Sequence, residues 1–224
     1  MNKVERNYKN LINILGADHA GYIKRITAAV SALSENKIKL NCKVCQLVKL
    51  YKNGKPFKMS KRAGDFISAQ DLLNEVDKDP IRFMMLNRSN DVELDFDFDK
   101  VLEKSKDNPV FYIQYSFARI NSLFRSLNKN LNDKIIIDPE KFQLNDTEQQ
   151  ILRKVFEWPK IIDTASLKHE PHRISYYLYD LATLFHAYWS KGNEDQNYKF
   201  IEDGKIRSIG TLVTIVLISI VIER

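Results

Sequence analysis

The sequence predicts an α/β region in residues 1–106 followed by an all-α region in residues 107–224. In the first region, short apolar runs alternate with helical segments, which is typical of an α/β sheet. In the second, apolar residues recur at three- and four-residue steps, which predicts amphipathic helices. The chain has 224 residues, of which 44% are hydrophobic and 29% are charged, so we expect one large or two small domains with a sizeable core.

The first predicted strand, residues 11–15, leads into the polar pair Asp18 and His19. The run is short and apolar, as in a buried strand, and Ile23–Leu33 follows as a predicted helix. Open α/β sheets form ligand sites at strand ends through this order of strand, glycine-containing turn and helix. Asp18 can accept a hydrogen bond from an ammonium group or a ribose hydroxyl, and His19 can donate one to a ribose or a phosphate. Alternatively, Asp18 caps the helix and His19 packs against it.

The two cysteines of the chain, Cys42 and Cys45, raise the question of a zinc or redox site. They lie in residues 40–48, a predicted strand, where side chains three positions apart point to opposite faces. The sequence has no second cysteine pair, and neither His19 nor His169 lies at ligand spacing. We therefore expect two reduced thiols, as in a cytoplasmic protein, and no metal site.

The most informative segment is Lys58-Met59-Ser60-Lys61, which continues as Arg62-Ala63-Gly64. It follows a predicted strand, residues 46–51, and a predicted turn, residues 52–56. Lysine carries a compact point charge that suits phosphate oxygens. Two such lysines on one loop can stabilise charge that develops on a polyphosphate during reaction. The alternative is a lysine-rich solvated turn, which is common on protein surfaces.

Helix signals mark the remaining chain. Ser68 is predicted to cap a helix over residues 69–76, and Pro80 to occupy the first position of the next helix. The all-α region opens on the start signal Asp107-Asn108-Pro109. Its later helices are predicted over residues 147–158 and 172–189.

The apolar tail, residues 209–222, is predicted to form a last helix that packs on the core. Its 14 residues fall short of the roughly 20 that a membrane-spanning helix needs. Because many of these residues are β-branched, a strand remains an alternative. A membrane anchor is a further alternative.

The charge of the chain favours a polyanionic partner. Its formal net charge is +6 and its pI is near 9.1, as in many proteins that bind nucleic acid. The first ten residues are polar, so no signal peptide is visible. We expect a cytoplasmic protein that makes no membrane contact.

Taken together, these segments resemble the arginyl-tRNA synthetases, a family of class I aminoacyl-tRNA synthetases. Lys58 to Lys61 resemble the Lys-Met-Ser-Lys-Ser signature of class I, with Arg62 where most members have serine. The other matching segments are residues 16–22, 82–88, 94–99, 107–115 and 177–182, followed by Phe185, His186 and Trp189. The resemblance covers roughly residues 11–205.

The resemblance implies a fold and an activity. Residues 1–106 would be the C-terminal portion of a class I Rossmann-like catalytic domain, and residues 107–224 a helical-bundle anticodon-binding domain. The implied reaction is the ATP-dependent attachment of arginine to tRNA. ATP, arginine and tRNA would be the partners, and Mg²⁺ would accompany ATP.

The resemblance also implies which residues form the sites. The catalytic residues would be Lys58 and Lys61, which stabilise the leaving pyrophosphate. The residues that bind ATP and substrate would be Gly16, Asp18, His19, Met59 and Ser60. The residues that bind tRNA would be Tyr115, Arg119, Arg173 and Trp189, since unpaired bases stack on aromatic rings and cations contact phosphates. Alternatively, the aromatic residues belong to the helical core.

The sequence departs from the family in one major respect. It lacks both the His-x-Gly-His type signature that grips ATP and the N-terminal domain ahead of it. We therefore expect a separate N-terminal half of the enzyme to supply the rest of the ATP site. The alternatives are a tRNA-binding module without catalysis and an inactive gene remnant.

Overall fold

The structure, a computed structural model, describes residues 2–6, 8–57, 67–131, 133 and 137–223. It divides into two compact units, the first formed by Met1–Asp77 and Arg88–Asp99, the second by Lys78–Asn87 and Lys100–Arg224. The first unit holds parallel and antiparallel strands with short helices, and the second is built mainly from helices. The predicted α/β plus all-α class is confirmed.

The α-helices in the described part of the chain are α1 (Asn2–Glu5), α2 (Ile23–Leu33), α3 (Ala69–Glu75), α4 (Lys78–Leu86), α5 (Phe98–Leu102), α6 (Pro109–Ser126), α7 (Asp146–Phe156), α8 (Trp158–Lys168), α9 (His172–Glu194) and α10 (Ile209–Glu223). Short 3₁₀ helices occupy Ala17–Tyr22, Pro139–Lys141 and Gln196–Tyr198. The strands are β1 (Asn10–Gly16), β2 (Lys39–Cys45), β3 (Val48–Lys52), β4 (Lys55–Phe57), β5 (Leu94–Asp97), β6 (Ile201–Glu202) and β7 (Lys205–Ile206).

The strands of the first unit form two sheets. β1 and β2 run parallel, from Asn10 opposite Lys39 to Gly16 opposite Cys45. β3 lies between β4, to which it is antiparallel, and β5, to which it is parallel. Because β1 and β2 are parallel, their carboxyl ends share one edge, and the 3₁₀ helix that follows β1 begins there.

The strand predicted over residues 11–15 is confirmed as β1, but the expectation that it is buried is wrong for one face. Leu11 is buried, whereas Ile12 and Ile14 are 48% and 71% exposed. Side chains alternate between the faces of a strand, so Ile12 and Ile14 lie on the face opposite Leu11. That face is open to solvent in the described structure, while Cys42 and Cys45 on β2 are both half-buried.

The hairpin of β3 and β4 turns at Asn53 and Gly54. Both residues have positive φ, 53° and 67°, as a two-residue turn matching the twist of the strands requires. The strand predicted over residues 46–51 is confirmed from Val48 onward.

The predicted cap of α3 at Ser68 is confirmed as a reciprocal capping box. The Ser68 hydroxyl accepts from the Asp71 N–H at 3.1 Å, and the Asp71 carboxylate accepts from the Ser68 N–H at 2.9 Å. Hydrogen bonds from the hydroxyl and the N–H of Ser68 lower the pKa of Asp71. Val76 already has extended backbone angles, so α3 ends one residue earlier than predicted.

Two further helix boundaries differ from the prediction. α4 begins at Lys78, two residues before Pro80, which still lies in the first turn, where no backbone N–H is needed. The helix predicted over residues 147–158 is confirmed as α7, which ends at Phe156, and a further helix that was not predicted, α8, begins at Trp158. Pro159 cannot donate to a carbonyl one turn earlier, which prevents a single helix from continuing through it.

α6 begins where the sequence predicts. The side-chain oxygen of Asn108 accepts from the Val110 N–H at 3.1 Å. Its amide nitrogen donates to the carbonyls of Val101 and Glu103, both at 2.8 Å. Pro109 occupies the first helical position. Asn108 therefore fixes the start of α6 against the turn that precedes it.

The core of the second unit lies among α6, α7, α9 and α10. Its buried members include Ile120, Phe124, Ile151, Leu181, Phe185, Ile215 and Ile218. The predicted last helix is confirmed as α10, so the alternative of a strand is wrong. None of the helices among the described residues has the length and hydrophobicity that crossing a membrane requires.

A buried carboxylate joins three helices of the second unit. Glu148 on α7 is 1% exposed. Its Oε1 accepts from the Tyr188 hydroxyl of α9 and from the Thr211 hydroxyl of α10, each at 2.6 Å. Its Oε2 accepts from the Asn145 N–H at 2.9 Å, which caps α7. Burial, and secondarily the bond to Glu148, raise the pKa of the Tyr188 hydroxyl.

Candidate nucleic-acid interface and strand-end site

The carboxyl end of β1 brings Gly16, Asp18 and His19 together. Asp18 folds back over Gly16, so a Cβ at position 16 would lie 2.6 Å from Asp18 Oδ1 and would displace the carboxylate. His19 Nε2 lies 3.4 Å from Asp18 Oδ2, and the two side chains are 56% and 77% exposed. The pair is therefore accessible to a ligand.

The alternative role of Asp18 as a cap of α2 is wrong. The residue at the N-cap position of α2 is Tyr22, and no side chain makes a capping hydrogen bond there. The His19 ring lies 6.1 Å from the Tyr22 ring. The carboxylate of Asp18 is thus not engaged in starting α2.

The residues of the lysine loop, Lys58, Met59, Ser60 and Lys61, lie outside the described residues. β4 ends at Phe57, immediately before them in the sequence. Their roles stay predictions.

In the second unit, α6 and α9 bring Tyr115, Arg119 and Trp189 together. The guanidinium carbon of Arg119 lies 4.3 Å from the ring centroid of Tyr115 and 5.0 Å from that of Trp189. Tyr115 and Arg119 are neighbours on α6 because they are four residues apart. Tyr115 is 41% exposed, and Arg119 and Trp189 are half-buried. We call these three residues the α6–α9 platform.

A buried histidine supports the platform from α9. His186 is 6% exposed, and its Nε2 lies 3.0 Å from the carbonyl oxygen of Tyr112. A carbonyl only accepts, so Nε2 carries the proton and donates. Nδ1 of the neutral ring is then the acceptor for Arg119, whose Nη1 lies 3.1 Å away. Burial lowers the pKa of His186, the bond to Tyr112 opposes this, and the charge of Arg119 lowers it further.

Aromatic rings extend the platform along the seam between α6 and α9. The His186 ring lies 4.3 Å from the Tyr112 ring and 5.7 Å from the Tyr115 ring. Tyr112 lies 5.4 Å from Tyr179, which is 37% exposed. On the other side, Tyr115 stacks on Phe111 at 5.6 Å. The seam thus offers a row of aromatic rings with the guanidinium of Arg119 among them.

Arg173 does not join the platform. It lies sixteen residues before Trp189 on α9, or about 24 Å along a helix that rises 1.5 Å per residue. Its Nε donates to the Glu170 carboxylate at 2.5 Å. The structure therefore groups three of the four residues expected to bind tRNA and pairs the fourth with a carboxylate.

A pocket of about 220 Å³ opens beside Trp189. Phe200 and Ile201 line it together with Trp189. Two exposed polar residues, Asn193 and Lys199, complete its wall. The pocket thus combines aromatic surface, a carboxamide and an ammonium group.

No sequence pattern indicated a role for His186, Asn193 or Lys199. His186 precedes Trp189 by three residues, so helical spacing alone places both on one side of α9. Lys199 reaches the pocket only because the chain turns back after α9, which no local pattern indicates.

Known proteins resemble the chain over both units. The sequence profile of the DALR anticodon binding domain matches residues 113–205, a span that contains the whole platform. The chain is 60% identical over 222 residues to the arginine–tRNA ligase of Pelagibacter ubique, covering 99% of the chain and 38% of that protein. It is 50% identical over 206 residues to the arginine–tRNA ligase of Ruegeria pomeroyi, covering 90% of the chain and 36% of that protein.

A solved structure shares the fold. It is the crystal structure of a protein from Campylobacter jejuni assigned to the arginyl-tRNA synthetases, with a TM-score of 0.82 and 30% identity. The match covers 99% of the chain and 46% of the Campylobacter protein. The chain thus spans less than half the length of the relatives that it matches.

Proposed function

The chain belongs to the arginyl-tRNA synthetase family and corresponds to the C-terminal part of its members, and on that premise we propose that its α6–α9 platform binds tRNA during arginine–tRNA ligation. The observation that carries this proposal is the convergence of Arg119 with Tyr115 and Trp189. Residues 107–224 would then be the anticodon-binding domain.

The chemistry of the platform suits unpaired RNA. An arginine that lies over aromatic rings keeps its charge and presents its remaining N–H groups to phosphate or base oxygens. The exposed part of Tyr115 offers a surface on which a base can stack. Lys199 and Asn193 in the adjacent pocket add a phosphate contact and a group that can read a base edge.

Residues 1–106 would contribute part of the catalytic domain. In the reaction that we propose, the arginine carboxylate attacks the α-phosphate of ATP, and pyrophosphate leaves. A hydroxyl of the terminal ribose of tRNA then attacks the arginyl carbonyl, and AMP leaves. Lys58 and Lys61 would stabilise charge on the pyrophosphate, Met59 and Ser60 would shape their loop, and Gly16, Asp18 and His19 would line the substrate pocket.

The described residues contain no cluster of three metal ligands. The carboxylate of Asp18 is exposed and could approach a cation held by ATP phosphates. Mg²⁺ would supply charge neutralisation of the phosphates. We propose that Mg²⁺ enters with ATP, and that the enzyme acts in the cytoplasm.

Catalysis would need the ATP-gripping signature, which does not lie within residues 1–224. We propose that an N-terminal half of the enzyme supplies it. Arginylation of tRNA should therefore appear when the chain is mixed with such a half, and not with the chain alone. In the mixture, Lys58→Ala should slow adenylate formation at least about tenfold, because one charge contact in the transition state is lost. Binding of tRNA without arginylation in the mixture would favour the non-catalytic module.

The test of the platform is a comparison of two arginines on the full chain. Labelled arginine tRNA is titrated with wild type, Arg119→Lys and Arg173→Lys, and affinity is followed by fluorescence anisotropy. We expect Arg119→Lys to weaken binding about tenfold, because lysine lacks the planar fork that stacks and donates in several directions. Arg173→Lys should stay within about twofold, because Arg173 is already paired with Glu170. Equal losses in both variants would remove the platform from the proposal.

A further inference from the structure

The guanidinium of Arg119 is fixed in orientation by one neutral acceptor. The rings of Tyr115 and Trp189 attract the cation but leave it free to turn above them. The hydrogen bond from Arg119 Nη1 to His186 Nδ1 removes that freedom. The other N–H groups of Arg119 then have a defined direction.

His186 is itself held from two sides. Its Nε2–H donates to the Tyr112 carbonyl at 3.0 Å, and its ring lies 4.3 Å from the Tyr112 ring. With only 6% of the residue exposed, it has little room to rotate. The acceptor at Nδ1 is therefore fixed relative to the backbone of α6.

We propose that His186 is a positioning residue for RNA binding: its neutral, Nε2-protonated ring orients the guanidinium of Arg119 between Tyr115 and Trp189. This inference rests on the proposed tRNA-binding function. His186 would not touch RNA, and it would act only through Arg119.

Protonation of His186 would break this arrangement. It would place an N–H on Nδ1, directed at the N–H of Arg119, and two cations would face each other. The titratable and charged groups that contact the ring in the described part of the chain are Arg119, Tyr112 and Tyr115, all on α6. Burial raises the pKa of Tyr112, so its hydroxyl stays neutral at acidic pH. RNA affinity should thus fall as the pH drops through the pKa of His186, although added positive charge alone would strengthen binding.

Two substitutions at His186 distinguish the effect of the Nδ1 acceptor from the effect of the ring shape. In His186→Phe the ring shape remains and the acceptor is lost, so affinity for an arginine anticodon stem-loop RNA should fall about tenfold, as when a hydrogen bond to a charged group is removed. In His186→Asn the amide oxygen can take the place of Nδ1 and does not titrate, so most of the affinity should return without the acid-side loss. His172→Phe is the matched control, since His172 lies on α9 beside Tyr176.

The experiment is an anisotropy titration of that RNA with the full chain across acidic to neutral pH. Loss of wild-type affinity on the acid side, rescue by His186→Asn and an unaffected His172→Phe would support the proposal. If wild type binds and both its pH profile and His186→Phe affinity are unchanged, the positioning role is wrong while the platform stands. If the wild-type chain does not bind the RNA at all, both the proposed function and this inference are wrong.

A measurement on the wild-type chain makes the proposal independent of how the variants fold. Nitrogen-15 NMR of the imidazole distinguishes the two neutral tautomers. The expected signal for His186 is that of a ring protonated at Nε2. A ring protonated at Nδ1 could not accept from Arg119, and that result would overturn the proposal.

Discussion

The core of the second unit and the first strand of the first unit differ in how far their apolar side chains are buried. In the second unit, α6, α7, α9 and α10 share one core in which Ile151, Leu181 and Ile218 have no exposed surface. In the first unit, Ile12 and Ile14 on β1 are 48% and 71% exposed. Isoleucine is thus fully buried in the core of the second unit, while two isoleucines on one face of β1 are open to solvent.

The difference shows that an apolar run in the sequence does not by itself determine whether its side chains are buried. A strand or a helix contributes hydrophobic free energy only when another element covers its apolar face. In the second unit the helices cover one another's apolar faces, and these helices include α6 and α9, which carry the platform. In the first unit, Phe96 on β5 is fully buried, but the face of β1 that carries Ile12 and Ile14 has no such cover among the described residues.

The largest expected effect lies in the core of the second unit. Ile218→Ala removes a fully buried side chain of α10 and should lower the free energy of unfolding by about 3 kcal/mol. Ile220→Ala on the same helix, at a residue 45% exposed, should cost less than about 1 kcal/mol. Chemical denaturation of both variants checks this contrast, which fails if the two costs are equal.

The next effect concerns the buried carboxylate of the second unit. Glu148→Ala leaves the hydroxyls of Tyr188 and Thr211 without their acceptor and should cost about 2 kcal/mol. Glu148→Gln keeps a carbonyl oxygen for both hydroxyls and should cost less. Thermal unfolding of both variants is the measurement, and an equal loss in the glutamine variant would mean that the negative charge, rather than the acceptor oxygen, stabilises the fold.

A smaller effect tests local order in the first unit. The folded-state pKa of Asp71 is lowered by hydrogen bonds from Ser68, so the cap stabilises α3 above the ordinary carboxyl pKa and is lost as the pH falls through the lowered value. Ser68→Ala should raise the pKa of Asp71 towards its ordinary value. Carboxyl titration by NMR reports it directly, and an unchanged pKa would show that Ser68 is not the partner.

The smallest effect is expected on the open face of β1. Ile14→Thr should change the free energy of unfolding by less than about 0.5 kcal/mol, because the side chain is already exposed and threonine suits a strand. Leu11→Thr, at the buried residue of the same strand, should cost clearly more. Denaturation curves decide the matter, and comparable losses would show that both faces of β1 are covered in solution.

Local signals predicted much of the fold. The start of α6 at Asn108 and the cap of α3 at Ser68 follow from side chains that bond the adjacent backbone. The open face of β1 was missed because burial depends on distant elements that a local run does not reveal. The helix α8 was missed because Pro159, which lies in its first turn, was not recognised as a helix start signal.

The candidate site could be predicted only in part. The spacing of Tyr115 and Arg119 already places them side by side on one helix. The pairing of Arg173 with Glu170, three residues away, was also within reach of helical spacing. The contact of Arg119 with Trp189 and His186 depends on how α6 packs on α9, which neither helix specifies alone.

Tryptophan fluorescence can show whether RNA contacts the chain at the α6–α9 platform. The chain has two tryptophans, Trp189 in the platform and Trp158 at the start of α8 beside Tyr177. Each is observed alone, in Trp158→Phe and in Trp189→Phe, while a labelled anticodon stem-loop reports binding by anisotropy. We expect the emission of Trp189 to change and to saturate together with binding, and the emission of Trp158 to stay constant. Binding that changes the emission of Trp158 and leaves that of Trp189 constant would contradict this expectation.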